Sequence, residues 1–177
     1  MVHNNKLTIM TFTILISFLM SLTGCYNHPE PETYLIPKGF TGRVNVIFNQ
    51  KNGAAIKYEN GRRIYEIPSN GILLTQFKDE YGIINHQYYY VDSAGKRSEL
   101  EVYKFEHFKK DSAGYVVTDK NKVGIFLDGT TGTYGNSDDK RSVKWQEFWV
   151  TSDNERNKIE PIDSFENRVK KLINYNF

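Results

Sequence analysis

The chain has 177 residues, 39% hydrophobic and 25% charged, with 12 Tyr and 11 Phe; this is enough apolar material for one packed domain and lacks the composition of a disordered chain. Lys and Arg outnumber Asp and Glu by only 23 to 21, and no basic stripe interleaved with aromatics would follow a phosphate backbone, which argues against nucleic acid as a partner. Cys25 is the single cysteine, so no intrachain disulfide can form.

Residues 1–6, MVHNNK, carry one firm positive charge at Lys6 and precede Leu7–Met20, fourteen residues without a charge. That order is the n-region and h-region of a signal peptide. A membrane-spanning helix needs about 20 predominantly apolar residues. This shorter run contains three Thr and one Ser, so residues 1–24 read as a leader. Leu22-Thr23-Gly24-Cys25 follows and resembles the lipobox of bacterial lipoproteins. Small side chains at Thr23 and Gly24 let extended backbone enter a processing site, and the Cys25 thiol is the nucleophile there that can form a stable thioether. The resemblance implies that Cys25 becomes the first mature residue, carrying a diacylglyceryl group and usually an N-acyl chain, with membrane lipid as its partner. Each buried methylene contributes about 0.8 kcal/mol and one chain binds only marginally, so two or three chains give a durable anchor. Tyr26 stands where Asp would favour an inner membrane, which points to the outer membrane if the host is Gram-negative. Residues 25–33 include Pro29 and Pro31, which bias the chain to extended geometry of about 3.1 Å per residue. They read as a lipidated N-terminus and short spacer ahead of a single domain over residues 34–177.

From Tyr34 onward, short apolar segments alternate with turn residues, the pattern of strands. Alternation within Arg43–Phe48 places Val44, Val46 and Phe48 on one face. Asn60-Gly61 ahead of Arg62–Pro68 is a hairpin signal, and Ser69-Asn70-Gly71 supplies a further turn before Ile72–Phe77. The tetrapeptide Asp-Ser-Ala-Gly occurs at 92–95 and again at 111–114. A type I turn closing with Gly in the left-handed region accounts for both, and a duplicated binding loop is the alternative. Val123–Gly129 and Val143–Val150 read as strands flanking a polar loop over Thr130–Ser142. Only the end is helical. Asp163 and Glu166 match a capping box, Phe165, Val169, Leu172 and Ile173 share a face, and Lys170 and Lys171 suit the negative end of the dipole, which predicts a helix over about 163–174 packed on the sheet. The expected fold is all-β, an antiparallel β-sandwich of transthyretin or immunoglobulin type with a short C-terminal helix.

Few residues offer chemistry. His28 lies in the spacer, and His86 and His107 are 21 residues apart with no second ligand at metal-binding spacing, so they read as surface or strand-end histidines. Gly135–Asp139 lacks the spacing of a Gly-x-Ser-x-Gly elbow. Asp128, Asp138 and Asp139 sit in a polar stretch that could ligate Ca²⁺, yet the order of an EF-hand loop and its closing Glu are missing, so a solvated loop is the expectation and no metal or cofactor is assigned. Tyr88, Tyr89, Tyr90, Tyr103, Phe105, Trp145 and Trp149 could form a flat platform for sugar or peptide, against which core packing with hydroxyls reaching the surface is the better account.

Tyr34–Gln76 resembles a family of uncharacterised bacterial exported lipoproteins. The motifs are Ile36-Pro37-x-Gly39-Phe40-x-Gly42, Phe48-Asn49-Gln50, Gly61-Arg62-Arg63-x-Tyr65-x-Ile67-Pro68-x-x-Gly71-Ile72 and Thr75-Gln76, with Glu147–Thr151 similar to the family's last strand. The resemblance implies fold and location and no activity. The expectation is therefore a membrane-anchored lipoprotein facing an extracytoplasmic compartment, a binding or structural envelope component with an envelope protein or glycan as its partner. An extracytoplasmic glycan-active enzyme using catalytic carboxylates is the alternative, although no catalytic residue is visible.

Overall fold

The computed structural model describes residues 29–103, 108–111, 114–117, 119–135 and 142–173. Its strands are β1 (Glu32–Pro37), β2 (Gly42–Ile47), β3 (Tyr58–Glu59), β4 (Arg62–Glu66), β5 (Ile72–Leu74), β6 (His86–Val91), β7 (Arg97–Glu99), β8 (Phe108–Asp111), β9 (Gly114–Val117), β10 (Gly124–Tyr134) and β11 (Val143–Thr151). A 3-10 helix (Asp153–Lys158) and an α-helix, α1 (Ile162–Leu172), follow. One sheet has the order β3-β4-β1-β6-β7, a second the order β10-β11-β2-β5, and β8 with β9 forms a separate pair.

The two larger sheets make a sandwich, and strand alternation decides what lies between them. Tyr34 and Ile36 of β1, Tyr65 of β4 and Tyr88 of β6 meet Val44 and Val46 of β2, Leu73 of β5, Ile125 of β10 and Phe148 and Val150 of β11 in one core. Val44, Val46 and Phe48 share that face as the alternation requires. The opposite face of the second sheet is covered as well: Ile47, Ile72 and Tyr134 pack against Phe165 and Val169 of α1. β2 is consequently buried on both sides, and the sandwich gains a third, helical layer at one face.

The sandwich is mixed, not the purely antiparallel arrangement that the sequence pattern led one to expect: β10–β11, β11–β2, β3–β4 and β6–β7 are antiparallel. β1 pairs in parallel with both β4 and β6, and β2 pairs in parallel with β5. The order of strands explains it. The chain crosses between the sheets after β1, β2, β4 and β5; β6 re-enters the first sheet in the direction of β1, whereas β3 re-enters against it and the β3–β4 hairpin turns the chain so that β4 runs with β1. Only near neighbours in sequence, β3 with β4 and β6 with β7, form hairpins in this sheet. The parallel pairings separate it from a purely antiparallel transthyretin or immunoglobulin arrangement.

Local signals hold where they are local. Asn60 and Gly61 both have positive φ, 51° and 73°, the requirement of a tight two-residue hairpin turn. Asp92–Gly95 closes with a Gly95 N–H to Asp92 carbonyl bond, and the Asp92 carboxylate accepts from the Ala94 and Lys96 amides. In the second copy of the tetrapeptide, Asp111 lies opposite Gly114 across the β8–β9 pair. Gly71 has φ 76°, and a Cβ there would stand 2.4 Å from the Arg43 carbonyl oxygen, so glycine is required where the turn presses on β2.

Three boundaries differ from the sequence reading. β1 takes in Glu32 and Thr33, both buried, from the segment read as spacer. β10 runs through Thr130–Tyr134, the first part of the segment read as loop, because it pairs with β11 up to Tyr134 opposite Val143. Asp163 is not the helix cap: Pro161 occupies that position, its carbonyl accepts the Phe165 amide, and Asp163 lies in the first turn. Of the expected helical stripe, Phe165 and Val169 are buried and Ile173 is partly so, whereas Leu172 is exposed.

Candidate functional site

The parallel register of β4, β1 and β6 builds the most unusual part of the molecule. Tyr65, Tyr34 and Tyr88 occupy matching positions on the three strands, and their rings stack with centroids 5.0 and 4.8 Å apart, close to the spacing of neighbouring strands. Two residues earlier on each strand the register brings Arg63, Glu32 and His86 into a row. Charged groups thus lie at the end of an aromatic ladder that also packs edge-on against Phe148, Phe48 and Phe77.

Glu32 is almost fully buried. Its carboxylate accepts the Tyr34 hydroxyl at 2.5 Å and the Tyr65 hydroxyl at 3.1 Å. Beside it, His86 has a side chain only 7% exposed. The His86 Nε2 lies 3.2 Å from a Glu32 oxygen, near enough for an ion pair although not aligned as a hydrogen bond. On the other side, Nδ1 lies 2.6 Å from Asp128 Oδ1, which also accepts the Tyr88 hydroxyl at 2.5 Å.

Asp128 arrives from the second sheet through a break in β10. Between the pairs Phe126–Trp149 and Thr130–Glu147 the ladder advances four residues on β10 and two on β11. Leu127 and Gly129 have positive φ there. Such a bulge re-aims a side chain, and here it places the carboxylate against His86. The strained backbone at Leu127, a non-glycine residue at φ 59°, is held by the ladder on both sides.

The electrostatics follow from the geometry. Burial alone would depress the His86 pKa, but the Asp128 hydrogen bond, the adjacent Glu32 and the charges of both carboxylates override it and raise the value from 6.5 to about 9. His86 is therefore an imidazolium at neutral pH, held between two carboxylates. Burial and the same carboxylates push the Tyr34 and Tyr88 phenols well above 10. Because a general base works best with a pKa near the operating pH, this His86 is a fixed charge and hydrogen-bond donor. The cluster ties β1 and β6 of one sheet to β10 of the other.

His86, Tyr88 and Asp128 form one wall of an open cleft of about 740 Å³ that also exposes Glu99, Glu101 and Lys122. Lys122 pairs with Glu101. A second cleft, of about 450 Å³, lies near α1 and includes Arg43 and Arg168. Arg43 is buried, paired with Glu147 and set 4.8 Å over the Trp149 ring, while Arg168 is bound to Glu160.

Of the residues singled out in the sequence, His86 and Asp128 come together although 42 positions apart. Among the described residues the aromatic candidates do not converge. Tyr88 is in the core, the Tyr90 hydroxyl donates to the Phe40 carbonyl, Tyr103 packs on Phe126, Trp145 packs on Tyr134 and Trp149 lies beneath Arg43. Cys25, His28, Phe105, His107, Asp138 and Asp139 lie outside the described residues. Among the described residues no three His, Cys, Asp or Glu side chains are grouped as metal ligands. Glu32 was read as spacer and Arg63 only as part of the family motif, neither as a site residue; an acidic residue two positions before an inward Tyr on a strand was the available signal for Glu32.

Comparison with known proteins places the chain without assigning it an activity. Among curated proteins none matches. Among solved structures, the fold is similar to the 2.75 Å crystal structure of a "Putative Lipoprotein from Bacillus anthracis", with a TM-score of 0.56 and 17% identity over 81% of this chain and 94% of that one. Residues 28–159, which run to the residue after the 3-10 helix, match the family DUF6843. The chain therefore belongs to DUF6843, a family of unknown function.

Proposed function

We propose that this protein is a lipid-anchored component of the bacterial cell envelope, attached through acylated Cys25, which presents its domain as a binding or structural element outside the cytoplasm. The observation that carries the reading is the position of Leu22-Thr23-Gly24-Cys25: it follows a charge-free h-region and stands immediately ahead of the family domain, which begins at residue 28. The fold neighbour, described as a "Putative Lipoprotein", supports the same reading. In a host with two membranes, Tyr26 favours the outer one. The test is Cys25→Ser in the native host with a fatty-acid probe: unlabelled, uncleaved precursor is expected, and unchanged labelling would refute the anchor.

The cleft beside His86 suits a binding role. His86 and Asp128 in its wall are held by each other and by the Tyr88 hydroxyl, and preorganised polar groups lower the cost of ordering on association. An envelope glycan or protein is the expected partner. Convergence of Glu99, Glu101 and Asp128 on one cleft is the observation that favours the second reading, a glycan-active enzyme using paired carboxylates. Against it, Asp128 is engaged by His86 and Tyr88, and Glu101 by Lys122. Release of reducing ends from envelope glycan by the wild type, lost in a folded Asp128→Asn variant, would establish the enzyme.

A further inference from the structure

Because β1, β4 and β6 are parallel, the segments that lead into them gather at one end of the first sheet. Glu32 N–H donates to the Asn85 carbonyl, and Arg62 Nη2 donates to the carbonyls of both Glu32 and Asn85. At this end the chain departs toward Cys25. Pro29 touches Gly82, where an added Cβ would lie 3.2 Å from the proline ring. Glu30 accepts the Tyr58 hydroxyl at 2.8 Å and its amide donates to Glu80 at 2.7 Å. Large apolar side chains are exposed around these contacts: Ile83 is 99% exposed, Tyr81 65% and Tyr58 50%. Nearby charge is balanced: Arg62, Arg63 and Lys78 stand against Glu30, Asp79 and Glu80, with Arg63 bound to Glu30 and Glu80 and Arg62 held by the carbonyls of Glu32 and Asn85.

We propose that this end of the domain, Tyr81 and Ile83 with Tyr58 beside them, is a second membrane contact that lies in the headgroup region of the bilayer; the inference rests on the acylation of Cys25. The tether decides the geometry. Four residue steps separate Cys25 from Pro29 and span at most about 14 Å at about 3.5 Å each. The loop that touches Pro29 is therefore kept next to the lipid surface. Headgroup regions are themselves several ångströms deep, and tyrosines with a neighbouring aliphatic side chain are the residues that settle there. Charge balance at this end means that the contact does not depend on anionic lipid.

The experiment uses the full chain produced in a bacterial host and reconstituted in phosphatidylcholine vesicles. Acylation leaves no free thiol at Cys25, so Ile83→Cys carries an environment-sensitive fluorophore at one position, and Ser93→Cys carries it at the exposed turn beyond β6. β6 has six residues and holds the two labels about 20 Å apart. Headgroup-labelled nitroxide lipid is expected to quench the label at position 83 several-fold more than that at 93. Equal quenching on chains whose N-terminal peptide is shown by mass spectrometry to be acylated overturns the contact and leaves the anchor standing. A bare Cys25 in the same peptide overturns the anchor and the contact with it.

Discussion

The buried imidazolium makes stability depend on pH in a direction that can be worked out. His86 has an ordinary pKa of 6.5 and a folded value of about 9, so between these limits the native state binds the proton more tightly than the unfolded chain. Stability from this group is complete below pH 6.5 and is lost as pH rises through 9. At about 1.4 kcal/mol per decade of pKa the difference is about 3 kcal/mol, a large part of the 5–15 kcal/mol by which domains are typically stable. The groups facing the ring are Glu32, Asp128, Tyr34 and Tyr88. The two phenols are held well above 10, outside this window. The assay is urea unfolding of the wild type and His86→Gln from pH 6 to 9.5. The variant should be less stable at pH 6, since removing one partner of a buried ionic cluster costs about 3–5 kcal/mol, and the gap should narrow by about 3 kcal/mol at the alkaline end. Curves that stay parallel across this range would refute the buried imidazolium.

A chain beginning at Thr33 loses Glu30 and Glu32, and with them one ion-pair partner of buried Arg63 and one of His86; its melting temperature should fall by about 10 °C or more relative to a chain beginning at Tyr26. Phe165→Ala should cost about 3–5 kcal/mol in denaturant unfolding because Phe165 is fully buried between α1 and the second sheet, whereas Leu172→Ala, at a residue 46% exposed, should stay within about 0.5 kcal/mol. Gly132→Ala places a methyl 2.2 Å from the Trp145 ring; overpacking of about 1–3 kcal/mol should appear in the unfolding midpoint, with a changed near-ultraviolet tryptophan signal.

Features set by neighbouring residues were legible in the sequence. The alternation of Val44, Val46 and Phe48 has one solution on a strand, Asn60-Gly61 closes the β3–β4 hairpin, and the first Asp-Ser-Ala-Gly is a turn held by its own Asp92. The lipobox at Cys25 is likewise a contiguous signal. Thr130–Tyr134 was not legible, because its polar residues are strand only through the facing segment Val143–Glu147 of β11.

What the sequence by itself determined is the β-rich character, the hairpin turns, the helical stripe at the end and the candidate anchor, all consequences of short-range sterics and periodicity. Only the tertiary structure decided that β1 runs parallel to β4 and β6, since strand direction depends on where the chain re-enters a sheet. That register brings Glu32 to His86, and a bulge in the opposite sheet brings Asp128 to the same ring. No spacing rule connects residues 32, 86 and 128, because each reaches the site on a separate element and their proximity is set by how two sheets pack.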